Sequence, residues 1–110
     1  MGPMIIPRYN LVFTYDIAPS MEEDYYRFAL SEFVPGMQGL GLYLARAWHT
    51  AYGNYPLRQS EFVAEDLDTI RKALQSDTFH RLEERLLTFV SNYDRKIMPF
   101  AEGFQLVVEN

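Results

Sequence analysis

Leu42-Tyr43-Leu44-Ala45-Arg46-Ala47-Trp48-His49-Thr50-Ala51-Tyr52 runs into Gly53-Asn54-Tyr55-Pro56 and returns as Leu57-Arg58-Gln59-Ser60-Glu61-Phe62-Val63-Ala64-Glu65. Two runs rich in aromatic and aliphatic residues, separated by a cluster of turn formers, spell a β-hairpin. The stretch also holds the only Trp and one of the two His, so a site is sought here first. With Gly53 to Pro56 as the loop, Tyr52 faces Leu57, Trp48 faces Glu61, Thr50 faces Gln59 and His49 faces Ser60. Arg46 then lies diagonal to Glu61, near enough for a cross-strand ion pair. A slip of one residue exchanges the two faces and dissolves these pairs.

Upstream, Tyr9 to Asp16 reads as a first strand with Tyr9, Leu11, Phe13 and Tyr15 on one face, bounded by Pro7 and Pro19. Ser20-Met21-Glu22-Glu23 has the form of a capping box opening a helix. Tyr25, Phe28, Ala29, Glu32 and Phe33 follow at helical spacing, until Pro35 and Gly36 end or kink it. The acidic run Glu22 to Asp24 is explained by favourable charge at a helix N-terminus.

Downstream of the hairpin, Asp66 caps a helix carrying Leu67, Ile70, Ala73 and Leu74. Ser76-Asp77 marks a break and a second cap. Phe79, Leu82, Leu86, Phe89, Val90 and Tyr93 continue as an amphipathic helix. Gly103 to Glu109 is expected to form the last strand, with Lys96-Ile97-Met98 as the alternative. The order is strand, helix, strand, strand, helix pair, strand. This is the β-α-β-β-α-β pattern of an α+β, ferredoxin-like fold, with helices on one face of a four-stranded antiparallel sheet.

A sheet with one wet face alternates apolar and polar residues cleanly. These strands do not. Leu11 and Phe13 lie on one side of the first strand and Val12 on the other. Leu42, Leu44 and Trp48 share one face of the second strand, and Tyr43, Ala45, Ala47 and Ala51 the other. Both faces are expected to be covered, which calls for a homodimer packed sheet to sheet.

The chain of 110 residues suits one domain, 1–110, with a single core. A net charge of -5 argues against nucleic acid, because phosphate neutralisation needs a basic patch. The absence of Cys excludes disulfides, thiol catalysis and thiolate metal sites. No run approaches a membrane span and no apolar leader follows a basic start, so a cytoplasmic protein with no membrane partner is expected. No metal and no cofactor are expected, since His49 and His80 are far apart and no Gly-rich phosphate loop is present.

The hairpin admits two readings. In one, Arg46, Trp48, Thr50, Tyr52, Gln59 and Glu61 wall a cavity for a small hydrophobic or aromatic ligand. In the other, Arg46 and Glu61 form a structural pair at the dimer interface, where Trp, Tyr and Arg are enriched without any ligand. His49 is the candidate general acid or base, because imidazole titrates near neutrality. Ser60 opposite it makes no nucleophile pair, as no acid orients the ring and no nucleophile elbow is present.

Thr50-Ala51-Tyr52-Gly53-Asn54 after the second strand, Glu65-Asp66-Leu67 after the third, and then Arg71, Leu74, Asp77 and Phe79 together resemble the NIPSNAP family. That family is a branch of the dimeric α/β-barrel superfamily. The resemblance covers roughly residues 42–90, and the element order extends it over the chain. Ser60 and Phe62 stand where the family often has His and Trp, so any ligand contact made by those two does not carry over. The resemblance implies a dimer with a cavity between sheet and helices. The superfamily includes cofactor-free monooxygenases, isomerases, dehydratases and haem proteins, so the fold does not choose a reaction. Two functions remain open. One is a binding or interaction module without catalysis. The other is a small cofactor-independent enzyme, of monooxygenase or isomerase type, acting on a hydrophobic or aromatic substrate. In the enzyme His49 moves protons, Arg46 holds an anionic group, and Trp48 and Tyr52 shape the pocket.

Overall fold

The computed structural model describes residues 6–52 and 55–99, and of residues 48–52 and 55–57 the backbone alone. Strand β1 (Tyr9–Ile17) leads through a 3-10 turn, Pro19–Met21, into helix α1 (Glu22–Phe28). A π turn (Ala29–Phe33) joins α1 to α2 (Val34–Gly39), and β2 (Tyr43–Tyr52) and β3 (Tyr55–Ala64) form the hairpin. Helices α3 (Leu67–Gln75) and α4 (Asp77–Leu87) precede β4 (Val90–Pro99). The sheet is four-stranded in the order β2-β3-β1-β4, and every pairing is antiparallel. This is the ferredoxin-like arrangement that the element order implies.

Local signals account for most boundaries, and three differ from expectation. Ser20 does not cap α1. Pro19 opens the 3-10 turn, which draws Ser20 inside it and leaves Met21 as the N-cap with no side-chain hydrogen bond. Pro35 and Gly36 do not end the helix. Their disturbance is absorbed one turn earlier, where Val34 N–H donates to Ala29 O, five residues back. Proline offers no N–H to a regular α-helical bond, and a π turn accommodates that loss without breaking the helix. Gly36 also lets α2 approach α4, since a Cβ there would stand 2.7 Å from Leu82 Cδ1.

The third difference is at the C-terminal end. Phe89, Val90 and Tyr93 share the helical spacing of α4, yet the helix stops at Leu87 and β4 begins at Val90. Lys96-Ile97-Met98 lies inside β4, paired with β1. The first-choice segment, Gly103 to Glu109, lies outside the described residues. Tyr93 still reaches the core because β4 bulges opposite Tyr15, where Asn92 takes φ 54°. Asn92 Nδ2 donates across the strand pair to Asp16 Oδ2 at 2.7 Å, and Asn is among the residues that tolerate the left-handed region.

The two later caps form as expected. Asp66 accepts from Thr69 N–H at 2.7 Å, and Ser76 Oγ accepts from Phe79 N–H at 3.1 Å. Bonding from Thr69 holds the Asp66 carboxyl below its ordinary range. Ser76→Ala is expected to lower stability by about 1 kcal/mol, since Phe79 N–H loses its partner at the start of α4. A fall in the urea midpoint with an unchanged slope would register this.

The core lies between the sheet and the helices, and Phe13 is at its centre. Its ring meets Phe33 at 5.6 Å and Phe62 at 5.8 Å edge to face, and stacks on Tyr93 at 6.2 Å and Phe79 at 6.4 Å. Leu11, Met37, Leu42, Ile70 and Leu86 are fully buried around it. All four helices serve this one face. Val12 and Val63, on the other, are nevertheless buried, in line with a sheet that does not alternate cleanly.

Candidate functional site

The hairpin register decides which of the expected site residues meet. Tyr52 pairs with Tyr55, not Leu57, so only Gly53 and Asn54 separate the strands. A Gly-Asn dipeptide is a strong two-residue hairpin signal, and it outweighs Pro56 as the close of a longer loop. Every expected pair therefore shifts by two residues. Trp48 stands opposite Gln59 instead of Glu61, Thr50 opposite Leu57 instead of Gln59, and His49 opposite Arg58 instead of Ser60. Because the shift is even, it does not exchange the faces.

Arg46 gains most from the shift. It lies directly opposite Glu61, and its Nη2 donates to Glu61 Oε1 at 3.0 Å. The two-residue loop sets this register, and a bulge at Ala45 ends it: Leu44 pairs with Phe62 on the helix side, whereas Arg46 lies on the other side. The unbroken alternation expected for the second strand is thus corrected at Ala45. Leu44 does not share a face with the position of Trp48, which is paired with Gln59.

Glu61 is 6% exposed although it lies on the side of the sheet away from the core. Three donors hold it: Arg46, Asn10 Nδ2 at 3.3 Å and Gln59 Nε2 at 3.1 Å. A buried carboxylate needs such satisfaction to stay charged. Asn10 contributes its amide from β1, which no reading of the hairpin alone supplies. Its Oδ1 is buried without a hydrogen-bond partner. Of the expected wall, Arg46, Gln59 and Glu61 meet. Trp48, Thr50 and Tyr52 hold their places in β2, and their side chains, like that of His49, lie outside the described residues.

A second polar cluster lies on the helix side. Tyr15 and Tyr25 hydroxyls are hydrogen-bonded to one another, and Ser60 Oγ is 3.5 Å from Tyr15 Oη. Burial first, then the neighbouring Tyr15 hydroxyl, pushes the Tyr25 phenol well above its ordinary range, so it remains protonated. Arg58 lies over the rings of Tyr25 and Tyr26, 5.9 Å and 5.5 Å from their centroids. The hairpin's residue pattern carries no signal for this cluster, because Tyr15 and Tyr25 come from β1 and α1. A third cluster joins Glu83 to Tyr93 at 2.7 Å and Arg95 at 2.9 Å, tying β4 to α4.

An open groove of about 560 Å³ lies on the helical layer between Glu32, Arg81, Leu82 and Arg85. None of the expected site residues lines it. His80 is exposed on α4. Among the described residues no helix is long and apolar enough to cross a membrane.

No protein-family model matches the sequence, and no curated protein matches it. Solved structures do match. A NIPSNAP family protein from Agrobacterium tumefaciens is 14% identical, with 92% of each chain covered and a TM-score of 0.64. A dimeric ferredoxin-like protein from an uncultured marine organism is 13% identical, with 87% of this chain and 90% of that one covered and a TM-score of 0.60. A conserved protein of unknown function from Bacteroides thetaiotaomicron, described as a possible oxidoreductase, is 6% identical over 86% of this chain and 98% of its own, at a TM-score of 0.66. The chain therefore has the ferredoxin-like fold of the NIPSNAP proteins.

Proposed function

We propose that this chain is a NIPSNAP-like member of the dimeric α/β-barrel superfamily, a single domain over residues 1–110 that serves as a small-molecule-binding or interaction module. The observation that carries this reading is the closed Arg46–Glu61 pair, 3.0 Å apart and reinforced by Asn10 and Gln59. Arg46 is thereby committed to a partner within the chain. The space between sheet and helices, where a substrate cavity is expected, is filled by Phe13, Phe33, Phe62 and Phe79. Two copies pack through the sheet faces that carry Glu61. Arg46, Trp48, Thr50, Tyr52, Gln59 and Glu61 then border the junction, where a small hydrophobic or aromatic ligand is held. The likeness to a dimeric ferredoxin-like protein supports the pairing. A cytoplasmic location is part of the same reading.

Sedimentation equilibrium tests the dimer. The 12.9 kDa chain is expected to sediment at twice its mass at micromolar concentration. A well-folded monomer under those conditions would overturn the proposal.

One observation favours a second reading, a cofactor-independent enzyme of monooxygenase or isomerase type. His49 is the register partner of Arg58 in the hairpin, and an imidazole is suited to proton transfer. The description of the Bacteroides protein as a possible oxidoreductase points the same way. In this reading His49 moves the proton, and His49→Ala removes turnover of an aromatic substrate without unfolding the chain.

A further inference from the structure

Four arginines among the described residues are bound to carboxylates. Arg27 pairs with Glu23 and Asp24, Arg46 with Glu61, Arg85 with Glu32 and Arg95 with Glu83. Arg8, Arg71 and Arg81 are exposed, where water hydrates a guanidinium. Arg58 belongs to neither group. It is partly buried in β3 with the Tyr25 hydroxyl as a hydrogen-bonding neighbour, but among the described residues no carboxylate lies at ion-pair distance and its buried Nε has no hydrogen-bond partner.

A guanidinium N–H shut away from water and left without an acceptor is destabilising, and the ring faces beside it offset only part of that. Arginine is suited to one purpose in such a place. Its fork of parallel N–H groups receives a carboxylate side-on, through Nε and one Nη, and each bond is strengthened by charge. The surroundings fit an organic acid. Tyr26 offers a half-buried ring 5.5 Å from the guanidinium. Tyr15, the register partner of Arg58 on one side, belongs to the hydroxyl chain with Tyr25 and Ser60. His49 is the register partner on the other side.

We propose that Arg58 is the anchor of a second site, on the helix side of the sheet at the hairpin end, that takes the carboxylate of a small aromatic acid. The carboxylate supplies the acceptor that Nε lacks, and the aromatic body packs against Tyr26. This site lies on the opposite face of the sheet from Glu61 and does not rest on the pairing of two copies.

Sodium benzoate is the probe, with benzamide as its uncharged counterpart, and the arginine Nε–H resonances of the wild-type chain are the readout. Benzoate is expected to move the Arg58 Nε–H signal saturably and to leave that of the exposed Arg81 in place. Benzamide is expected to bind at least about tenfold more weakly, because it lacks the charge that strengthens both bonds. Arg58→Gln is expected to reduce benzoate affinity by about tenfold or more, with Arg58→Lys in between, since an ammonium cannot bind side-on. Arg81→Gln, at an exposed arginine outside both sites, is expected to leave benzoate affinity unchanged. Failure of the wild-type Arg58 signal to move saturably overturns the proposal. So does equal binding of benzamide, or unchanged affinity in a folded Arg58→Gln chain. Loss of affinity in Arg46→Gln alone would assign the ligand to the Glu61 face and overturn it too.

Discussion

Phe13→Ala is expected to destabilise the fold by about 3–5 kcal/mol. Phe13 is 0% exposed, and the rings of Phe33, Phe62, Phe79 and Tyr93 all converge on it. These rings come from the helical layer, from the neighbouring strand β3 and from β4, so no single side chain can swing in to fill the void. Each edge-to-face or stacked pair adds about 0.5–1.5 kcal/mol beyond area burial, which places the loss toward the upper end. Domains of this size hold roughly 5–15 kcal/mol in total, so the variant would lose much of its margin. Urea unfolding followed by circular dichroism measures it. A loss below about 1 kcal/mol would show that Phe13 is not the centre of the core. Phe13→Leu, which keeps most of the volume, is expected to fall between the variant and the parent.

Glu61→Ala is expected to lower stability by about 1–3 kcal/mol, and the cause lies less in the ion pair than in what is left behind. Arg46 is 51% exposed at its side chain, so water reaches it whether or not Glu61 is present, and its share is that of a surface pair. Asn10 is only 6% exposed and would lose the acceptor for its Nδ2. That buried, unpaired amide dominates the loss. Arg46→Ala should therefore be milder than Glu61→Ala, although both break the same 3.0 Å contact. If the two variants lose equally, the ion pair itself contributes more than the buried amide and this weighting is wrong. A double variant, Asn10→Leu with Glu61→Leu, removes both polar partners together and is expected to recover part of the loss. Measuring all variants at one protein concentration keeps dimer formation from entering the comparison.

The Glu61 network shows how far local sequence reaches. The ion pair between Arg46 and Glu61 is legible in the hairpin, because cross-strand neighbours in a two-stranded unit follow from loop length and alternation. Its details are not. Two turn signals overlap at Gly53-Asn54-Tyr55-Pro56, and each implies a different loop. The bulge at Ala45 has no mark in the sequence, since alanine is accepted on either face of a strand. The shorter loop alone brings Arg46 directly across from Glu61, and the bulge changes only the residues before it. Asn10 is further away, 51 residues from Glu61 in the chain, and only strand order makes it a neighbour.

Element order, the caps at Asp66 and Ser76, the apolar faces of the helices and the crowded strands were determined by the sequence itself. Each depends on residues a few positions apart, where periodicity and side-chain chemistry act directly on the backbone. Tertiary structure decided the rest. It took Phe89 out of the helical stripe and put Val90 and Tyr93 in strand β4, because β1 offered an open edge to pair with and a bulge returned Tyr93 to the core. It also set Arg58 over Tyr25 and Tyr26, with its Nε left without an acceptor among the described residues, by bringing β3 against α1. Such contacts join residues whose only relation is the closing of the sheet over its helices, so no stretch of sequence contains them.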